Sequence, residues 1–263
     1  MRGLRAAVGF LTTVPVQIAE GDYECFATRQ HLFVLAGIGA GLLLGLAGLL
    51  FQWLLPAPLA AVLMITCLYL LTGTGHLDGL ADTGDGIVAH GSREKKIAAM
   101  KDVHTGTGGI LFLALDLLFL FALLSEFAGS WLPVLLPLLA AEVGAKLAMS
   151  TVIAYGRSTA PGMGSFMIER ASREQHLLGA IAALAAVAMA TLFTALWCRD
   201  LFNARLWLGS LLALLASLAA AAAVMLVADR HFGGVSGDVM GAANEIARIA
   251  ALAAMGATLW MRF

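Results

Sequence analysis

Three aspartates in one short segment have a spacing that lets them act together. Asp78, Asp82 and Asp85 stand at positions i, i+4 and i+7, so on a helix they share one face. Like charges at this spacing repel, and a solvated acidic face is the simpler interpretation. Mg²⁺, however, takes carboxylate and phosphate oxygens as ligands, and such ions support phosphoryl transfer. The cluster therefore predicts metal-assisted chemistry on a phosphate-bearing substrate.

The residues between and before these aspartates extend the candidate site. Gly79 and Gly86 carry no side chain, so phosphate oxygens or a metal ion can approach the backbone there. His76 lies two residues before the first aspartate. Since neutral histidine rarely binds Mg²⁺, we expect it to contact substrate or to exchange a proton.

A second group of polar residues follows in the same segment, 74–107. Lys101 is expected to bind a phosphate as a point charge, and Asp102 to complete a metal shell. The helix that begins near Gly108 should favour an anion at its N-terminus.

Two other polar segments, 152–176 and 229–242, carry further candidates. Arg157 can pair with a phosphate through two hydrogen bonds, or it can simply anchor a helix end at the membrane interface. Asp238 lies in a glycine-rich turn that leads to Asn244 and Glu245. This turn is interpreted as substrate-binding, with a flexible connector as the alternative.

The composition places these segments in a membrane protein. Of 263 residues, 60% are hydrophobic and 13% charged, whereas soluble domains carry about 25% charged residues. A disordered chain, a nucleic-acid-binding module and an ordinary cytosolic enzyme are therefore excluded, and the net charge of -1 predicts no polyanionic partner. Apolar runs of about 20 residues predict an all-α, polytopic bundle of about seven transmembrane helices, forming one catalytic domain over 1–263. The predicted spans are roughly 32–55, 57–73, 108–128, 131–151, 177–198, 206–228 and 243–261.

The basic residues predict the orientation of this bundle. With seven spans, the N-terminus and the three polar segments fall on one side, which carries 11 lysines and arginines. The other side carries Arg199, Arg205 and Arg262. Because basic loops favour the cytoplasm, we expect the N-terminus and the active-site segments to be cytoplasmic, in the cytoplasmic (inner) membrane.

Some sequence features lie inside the predicted spans. The glycines of the first span, residues 37, 39, 41, 45 and 48, predict a face on which helices approach closely. Asp116 is in mid-span and would need a partner such as Lys146 or Arg248. Glu142 and Lys146, at i and i+4, would form an ion pair, and either structural pairing or function explains them equally well.

Five motifs together resemble the cobalamin synthase family, also called adenosylcobinamide-GDP ribazoletransferases. The resemblance starts with GFLTTVPVQ at 9–17 and continues with GHLDGLADTGDG at 75–86 and MKDVHTGTGG at 100–109. It extends to RSTAPGMG at 157–164, which is the loosest match, and to FGGVSGDVMGAANE at 232–245. The aspartate block is the most specific of these.

The resemblance implies a reaction and a cofactor. Members join adenosylcobinamide-GDP to α-ribazole or its 5′-phosphate, release GMP and require Mg²⁺. The ribazole 3′-hydroxyl would attack the phosphorus on the cobinamide side, with one of the aspartates or His76 accepting its proton. Lys101 and Arg157 would stabilise charge on the pyrophosphate. The family motif falls on His76, Asp78, Gly79, Asp82, Asp85 and Gly86.

Two other functions remain open as alternatives. A CDP-alcohol phosphotransferase also uses clustered aspartates on membrane helices. In the sequence pattern of those enzymes an Ala-Arg pair follows the first Asp-Gly, and no such pair follows Asp78-Gly79 here. A transporter would use the charges inside the spans, yet no inverted repeat is visible. The expected partners are the two small-molecule substrates and the lipid bilayer, without nucleic acid. A homo-oligomer or a complex with other cobamide-assembly enzymes is left open.

Overall fold

The protein is a bundle of α-helices. The computed structural model describes residues 2–159, 161–200 and 203–260. Outside its helices, this part of the chain has one isolated parallel bridge between Ser158 and Val235. Arg262 and the end of the last predicted span lie outside the described residues. The helices are α1 (Arg2–Leu11), α2 (Asp22–Ala27), α3 (His31–Leu54), α4 (Ala57–Thr72), α5 (Gly75–Val88), α6 (Arg93–Met100), α7 (Thr107–Ala128), α8 (Leu135–Tyr155), α9 (Met163–Glu169), α10 (Arg173–Trp197), α11 (Ala204–Phe232) and α12 (Gly237–Trp260).

Five helices of the described chain are long and apolar enough to cross a membrane. They are α3, α7, α8, α10 and α11, and each coincides with a predicted span. Helix α4 has 16 residues, about 24 Å, which is shorter than a bilayer core. A sixth span results only if α4 and α5, which meet at 97°, are taken together. Helix α12 is not among the five, and it carries Glu245 and Arg248. The membrane bundle is thus confirmed, while the number of seven spans and the orientation stay predictions.

Helix α8 forms the centre of the bundle. Its apolar stretch is entirely buried, and α3, α10, α11 and α12 pack around it. The glycine face of α3 lies close to the α8 backbone. A Cβ atom added to Gly37 would lie 2.8 Å from the carbonyl oxygen of Glu142, and one added to Gly41 would lie 2.8 Å from Cα of Leu139. The prediction of a packing face is therefore confirmed for these positions, whereas Gly39 faces open space.

The three polar segments meet at one end of the bundle. Gly79 in α5 lies against the backbone of Asp238 in α12, where an added Cβ would be 2.7 Å from the Asp238 carbonyl oxygen. The Arg157 side chain donates a hydrogen bond to the carbonyl of Gly233 at 2.8 Å, and the Arg157 carbonyl accepts one from the amide of Val235 at 2.7 Å. These contacts link 74–107, 152–176 and 229–242, as the chemistry requires.

Candidate active site

Four aspartates lie near enough to influence one another where α5 meets α12. Helix α5 supplies Asp78, which is exposed, and Asp82 and Asp85, which are partly buried. The first turn of α12 adds Asp238, because the small Gly79 allows α12 to pack directly on α5. We call these four residues the acidic face. The sequence predicted the three residues of α5 as a group but not that Asp238 lies with them.

The acidic face carries unbalanced negative charge. We take α5 as lying outside the spans, because it turns 97° from α4 and exposes Asp78. Burial, together with the charges of Asp78, Asp238 and Asp85, raises the pKa of Asp82 to about 6. Burial and then Asp78 also raise the pKa of Asp238, against opposing effects of Ser236 and Lys101. Carboxylates that raise each other's pKa are a set that a cation would stabilise.

Asp85 has a second partner that the sequence did not indicate. Its carboxylate accepts hydrogen bonds from the backbone amides of Gly106 at 2.7 Å and Gly109 at 2.8 Å, which are the N-cap and third residue of α7. An anion does lie at this helix N-terminus, as the sequence led us to expect, but it is the protein's own Asp85 carboxylate. The glycines serve helix packing instead, since a Cβ on Gly108 would lie 2.6 Å from the Gly84 carbonyl oxygen.

The acidic face suits Mg²⁺ that arrives with a phosphate-bearing substrate. Among the described residues, no three Asp, Glu, His or Cys side chains converge as a complete metal cage. Asp78, Asp82 and Asp238 nonetheless form no ion pair within the described chain. Mg²⁺ is commonly held by one or two carboxylates, with substrate phosphates and water completing its octahedron. The residues present fit that mode of binding.

His76 faces away from solvent and lines a cavity between α5, α8 and α12. Its side chain is buried, and its Nδ1 atom has no hydrogen-bond partner among the described residues. Burial, followed by the charges of Lys146 and Arg248, holds the pKa of His76 well below its ordinary value. The ring is therefore neutral near pH 7, which suits a substrate contact better than the role of a strong base.

The other sequence-predicted residues of the site take different places. Lys101 is exposed at the end of α6, and its charge acts on Asp238. Asp102 is exposed and accepts hydrogen bonds from the backbone amide and ring of His104, at 2.9 and 3.0 Å. Arg157 pairs with Asp229 at 3.7 Å, in addition to its bond to Gly233. A Cβ on Gly86 would lie 2.8 Å from the Phe232 ring, so this glycine permits packing.

Asn244 and Glu245 lie in a buried network deeper in the bundle, not on the acidic face. Arg248 binds Glu142, with its Nε 2.5 Å from Oε1, and also binds Glu245. Lys146 donates to Oδ1 of Asn244 at 2.6 Å. We call the following residues the buried network: Tyr69, Asp116, Glu142, Lys146, Asn244, Glu245 and Arg248.

The network changes the pairing expected from the sequence. Glu142 pairs with Arg248 of another helix, so the expected pair with Lys146 in its own helix is wrong. Asp116 accepts a hydrogen bond at 3.0 Å from the hydroxyl of Tyr69, which lies 3.2 Å from Glu245. The contacts of Tyr69 were not predicted from the sequence, although the hydroxyl of a tyrosine within an apolar span usually has a polar partner.

Comparisons with known proteins show the family of the chain. A family model described as cobalamin-5-phosphate synthase matches residues 3–256. The chain belongs to this family. An adenosylcobinamide-GDP ribazoletransferase of Methanocella arvoryzae is 56% identical over 100% of this chain and 98% of its own length. Enzymes of the same name from Halorubrum lacusprofundi, 38% identical over 100% and 99% of the two chains, and Methanococcoides burtonii, 35% identical over 95% and 89%, are also similar.

Membership of the cobalamin-5-phosphate synthase family decides between the functional alternatives. The match covers nearly the whole chain, including the acidic face and the segment that carries Arg157. It therefore disfavours both a CDP-alcohol phosphotransferase and a transporter. No solved structure matches the chain.

Proposed function

We propose that the protein is an adenosylcobinamide-GDP ribazoletransferase of the last steps of cobalamin nucleotide-loop assembly. The observation that carries the proposal is the acidic face, formed by α5 and α12 within a chain of this family. Relatives that are named for this activity and are similar over nearly their whole length support the choice of substrates. The substrates are adenosylcobinamide-GDP and α-ribazole or its 5′-phosphate, and the products are GMP and adenosylcobalamin or its 5′-phosphate.

The transfer breaks one phosphoanhydride bond and forms one phosphoester bond. The ribazole 3′-hydroxyl oxygen attacks the phosphorus on the cobinamide side, the bond to the GMP oxygen breaks, and GMP leaves with the bonding electrons. Mg²⁺ held by Asp78, Asp82 and Asp238 would neutralise the pyrophosphate charge. Asp85 would act mainly through its hydrogen bonds to α7, which fix the position of α5.

The remaining side chains have roles that follow from their positions. A carboxylate of the acidic face accepts the hydroxyl proton, and the raised pKa values of Asp82 and Asp238 bring these groups closer to the working pH of a general base. Lys101, which is exposed beside Asp238, is free to bind a phosphate oxygen of the donor. Arg157 joins the segments, and its exposed guanidinium also faces solvent.

The active-site end is proposed to face the cytoplasm, where soluble nucleotides are available. The lysines and arginines of segments 74–107 and 152–176 support this orientation. A cysteine substituted for exposed Lys95 should react with a membrane-impermeant thiol reagent in inverted vesicles and stay protected in intact cells. Labelling of this cysteine from outside intact cells would show that the active-site end faces the opposite side of the membrane.

Release of GMP tests the activity directly. The purified chain in lipid nanodiscs, given adenosylcobinamide-GDP, α-ribazole and Mg²⁺, should form GMP and a corrinoid in equal amounts. Without α-ribazole no GMP should appear. GMP release that does not depend on α-ribazole would indicate hydrolysis and contradict the proposed transfer.

A further inference from the structure

An apolar cavity that is partly open to solvent lies directly beside the acidic face. It has a volume of about 280 Å³ and lies between helices α1, α3, α4, α5, α8, α9 and α12. Its walls are mainly large apolar side chains, including Phe33, Met149, Ile153 and Met167, all of which are buried. Such a lining favours a flat, apolar ligand, and methionines adapt well to the edge of an aromatic ring.

Two polar residues connect this cavity with the site of transfer. Asp238 lines the cavity and also belongs to the acidic face. His76 lines the same cavity, is 9% exposed, and has an Nδ1 atom without a hydrogen-bond partner among the described residues. A buried polar atom without a partner is costly, and a ligand in the cavity would supply one.

The entrance to the cavity is open at two glycines. A Cβ added to Gly75 or to Gly237 would meet no heavy atom within 4 Å. Gly75 precedes His76 on α5, and Gly237 precedes Asp238 on α12. A molecule bound in the cavity therefore has room to extend past these glycines toward the acidic face.

We propose that this cavity binds the aromatic base of the acceptor nucleoside, with the His76 ring bonded to a polar atom of that base. The proposal rests on the proposed function and assigns a part of the substrate that function does not locate. The diphosphate of the guanosine is negatively charged, so Mg²⁺ would join it to the acidic face and keep it out of an apolar cavity, and the corrinoid is too large for the cavity. The base is the part that is both flat and apolar. Binding it here directs the attached ribose toward Asp238 and the transferred phosphorus.

Binding of α-ribazole alone tests the cavity without requiring catalysis. The full chain in nanodiscs is titrated with α-ribazole by calorimetry, comparing the parent protein with Met149→Ala. Shortening Met149 removes contacts with the base, and the dissociation constant should rise about tenfold. Met255→Ala is the matched control, since Met255 is equally buried but packs in the other apolar cluster. Its dissociation constant should be unchanged.

A second variant keeps the proposal testable if Met149→Ala does not fold. Met163 lines the cavity but is 46% exposed, so Met163→Ala should fold normally and still weaken α-ribazole binding by a few-fold. A base of different size adds a further readout. Met149→Ala should shift the ratio of kcat/KM values toward an acceptor with a larger base and away from unsubstituted benzimidazole riboside.

The results separate the failure of this inference from the failure of the proposed function. Unchanged α-ribazole binding in both Met149→Ala and Met163→Ala would overturn the inference, even if GMP release is normal. A raised KM for adenosylcobinamide-GDP with an unchanged KM for α-ribazole would also overturn it. If instead the variants weaken α-ribazole binding but the parent protein releases no GMP, the cavity assignment stands and the proposed reaction fails.

Discussion

Asp85 should be needed for stability more than for metal binding. Its carboxylate accepts hydrogen bonds from the amides of Gly106 and Gly109 at 2.7 and 2.8 Å, at the positive end of α7. The sequence alone placed Asp85 with Asp78 and Asp82 as a metal ligand. The two assignments predict different behaviour for the same substitutions.

The size of the effect follows from these two bonds. Hydrogen bonds to a charged group contribute about 1.5–3 kcal/mol each, and replacing an N-cap aspartate by alanine costs about 0.5–2 kcal/mol. Because Asp85 is partly exposed and is repelled by Asp82, we expect Asp85→Ala to lower the free energy of unfolding by about 2 kcal/mol. Asp85→Asn keeps one acceptor oxygen and should cost about half as much.

Thermal unfolding in nanodiscs measures this difference. A loss of 2 kcal/mol corresponds to a fall in Tm of about 4–8 °C for a chain of this size class. Asp78→Ala is the control, because Asp78 is exposed and its loss relieves repulsion; its Tm should not fall. At a temperature below the Tm of Asp85→Asn, this variant should need nearly the same Mg²⁺ concentration for half-maximal activity as the parent protein. An unchanged Tm for Asp85→Ala, with a tenfold higher Mg²⁺ requirement for Asp85→Asn, would refute the capping role.

Three further predictions follow from the packing and charge of the site. Arg248→Met leaves two buried carboxylates without their cation and should cost about 3–5 kcal/mol in unfolding free energy, whereas Lys95→Met, at an exposed position, should cost almost nothing. Gly79→Ala should cost about 1–3 kcal/mol and reduce activity, because its Cβ would press on the backbone of Asp238; Gly237→Ala, in open space, should not destabilise the fold, and equal Tm values would contradict the α5–α12 contact. The raised pKa of Asp82, about 6, means that the folded state binds a proton more tightly than the unfolded chain, so stability without metal should rise as pH falls from about 6 toward 4, while activity should fall over that range. Asp82→Asn should remove this contribution to the pH dependence of stability.

Local periodicity was sufficient to predict much of the fold and part of the site. Apolar runs predicted all five of the described helices that are able to span a membrane, and small residues predicted the α3 face that packs on α8. The common face of Asp78, Asp82 and Asp85 follows from helical geometry, which depends only on nearby residues. The same local reasoning overestimated α4, which ends after 16 residues and turns sharply into α5.

Partners on different helices could not be predicted, because they depend on how the helices pack. The sequence spacing favoured a pair between Glu142 and Lys146, yet Glu142 binds Arg248, 106 residues away. Asp238 was assigned to substrate binding without its place beside Gly79. The cavity next to His76 also forms only when seven helices come together, so no single motif indicates it.

The proposed function requires the acidic face to bind Mg²⁺ and to carry the transfer reaction. GMP release from adenosylcobinamide-GDP in the presence of α-ribazole, measured across a Mg²⁺ titration, tests it with Asp82→Asn. Asp200→Asn is the matched control, since Asp200 is exposed in the turn between α10 and α11, with its carboxylate bonded to Asn203. Asp82→Asn should lower activity at least a hundredfold or shift the Mg²⁺ requirement strongly upward, while Asp200→Asn should match the parent protein. Full activity of Asp82→Asn with an unchanged Mg²⁺ requirement would contradict Mg²⁺ binding at the acidic face.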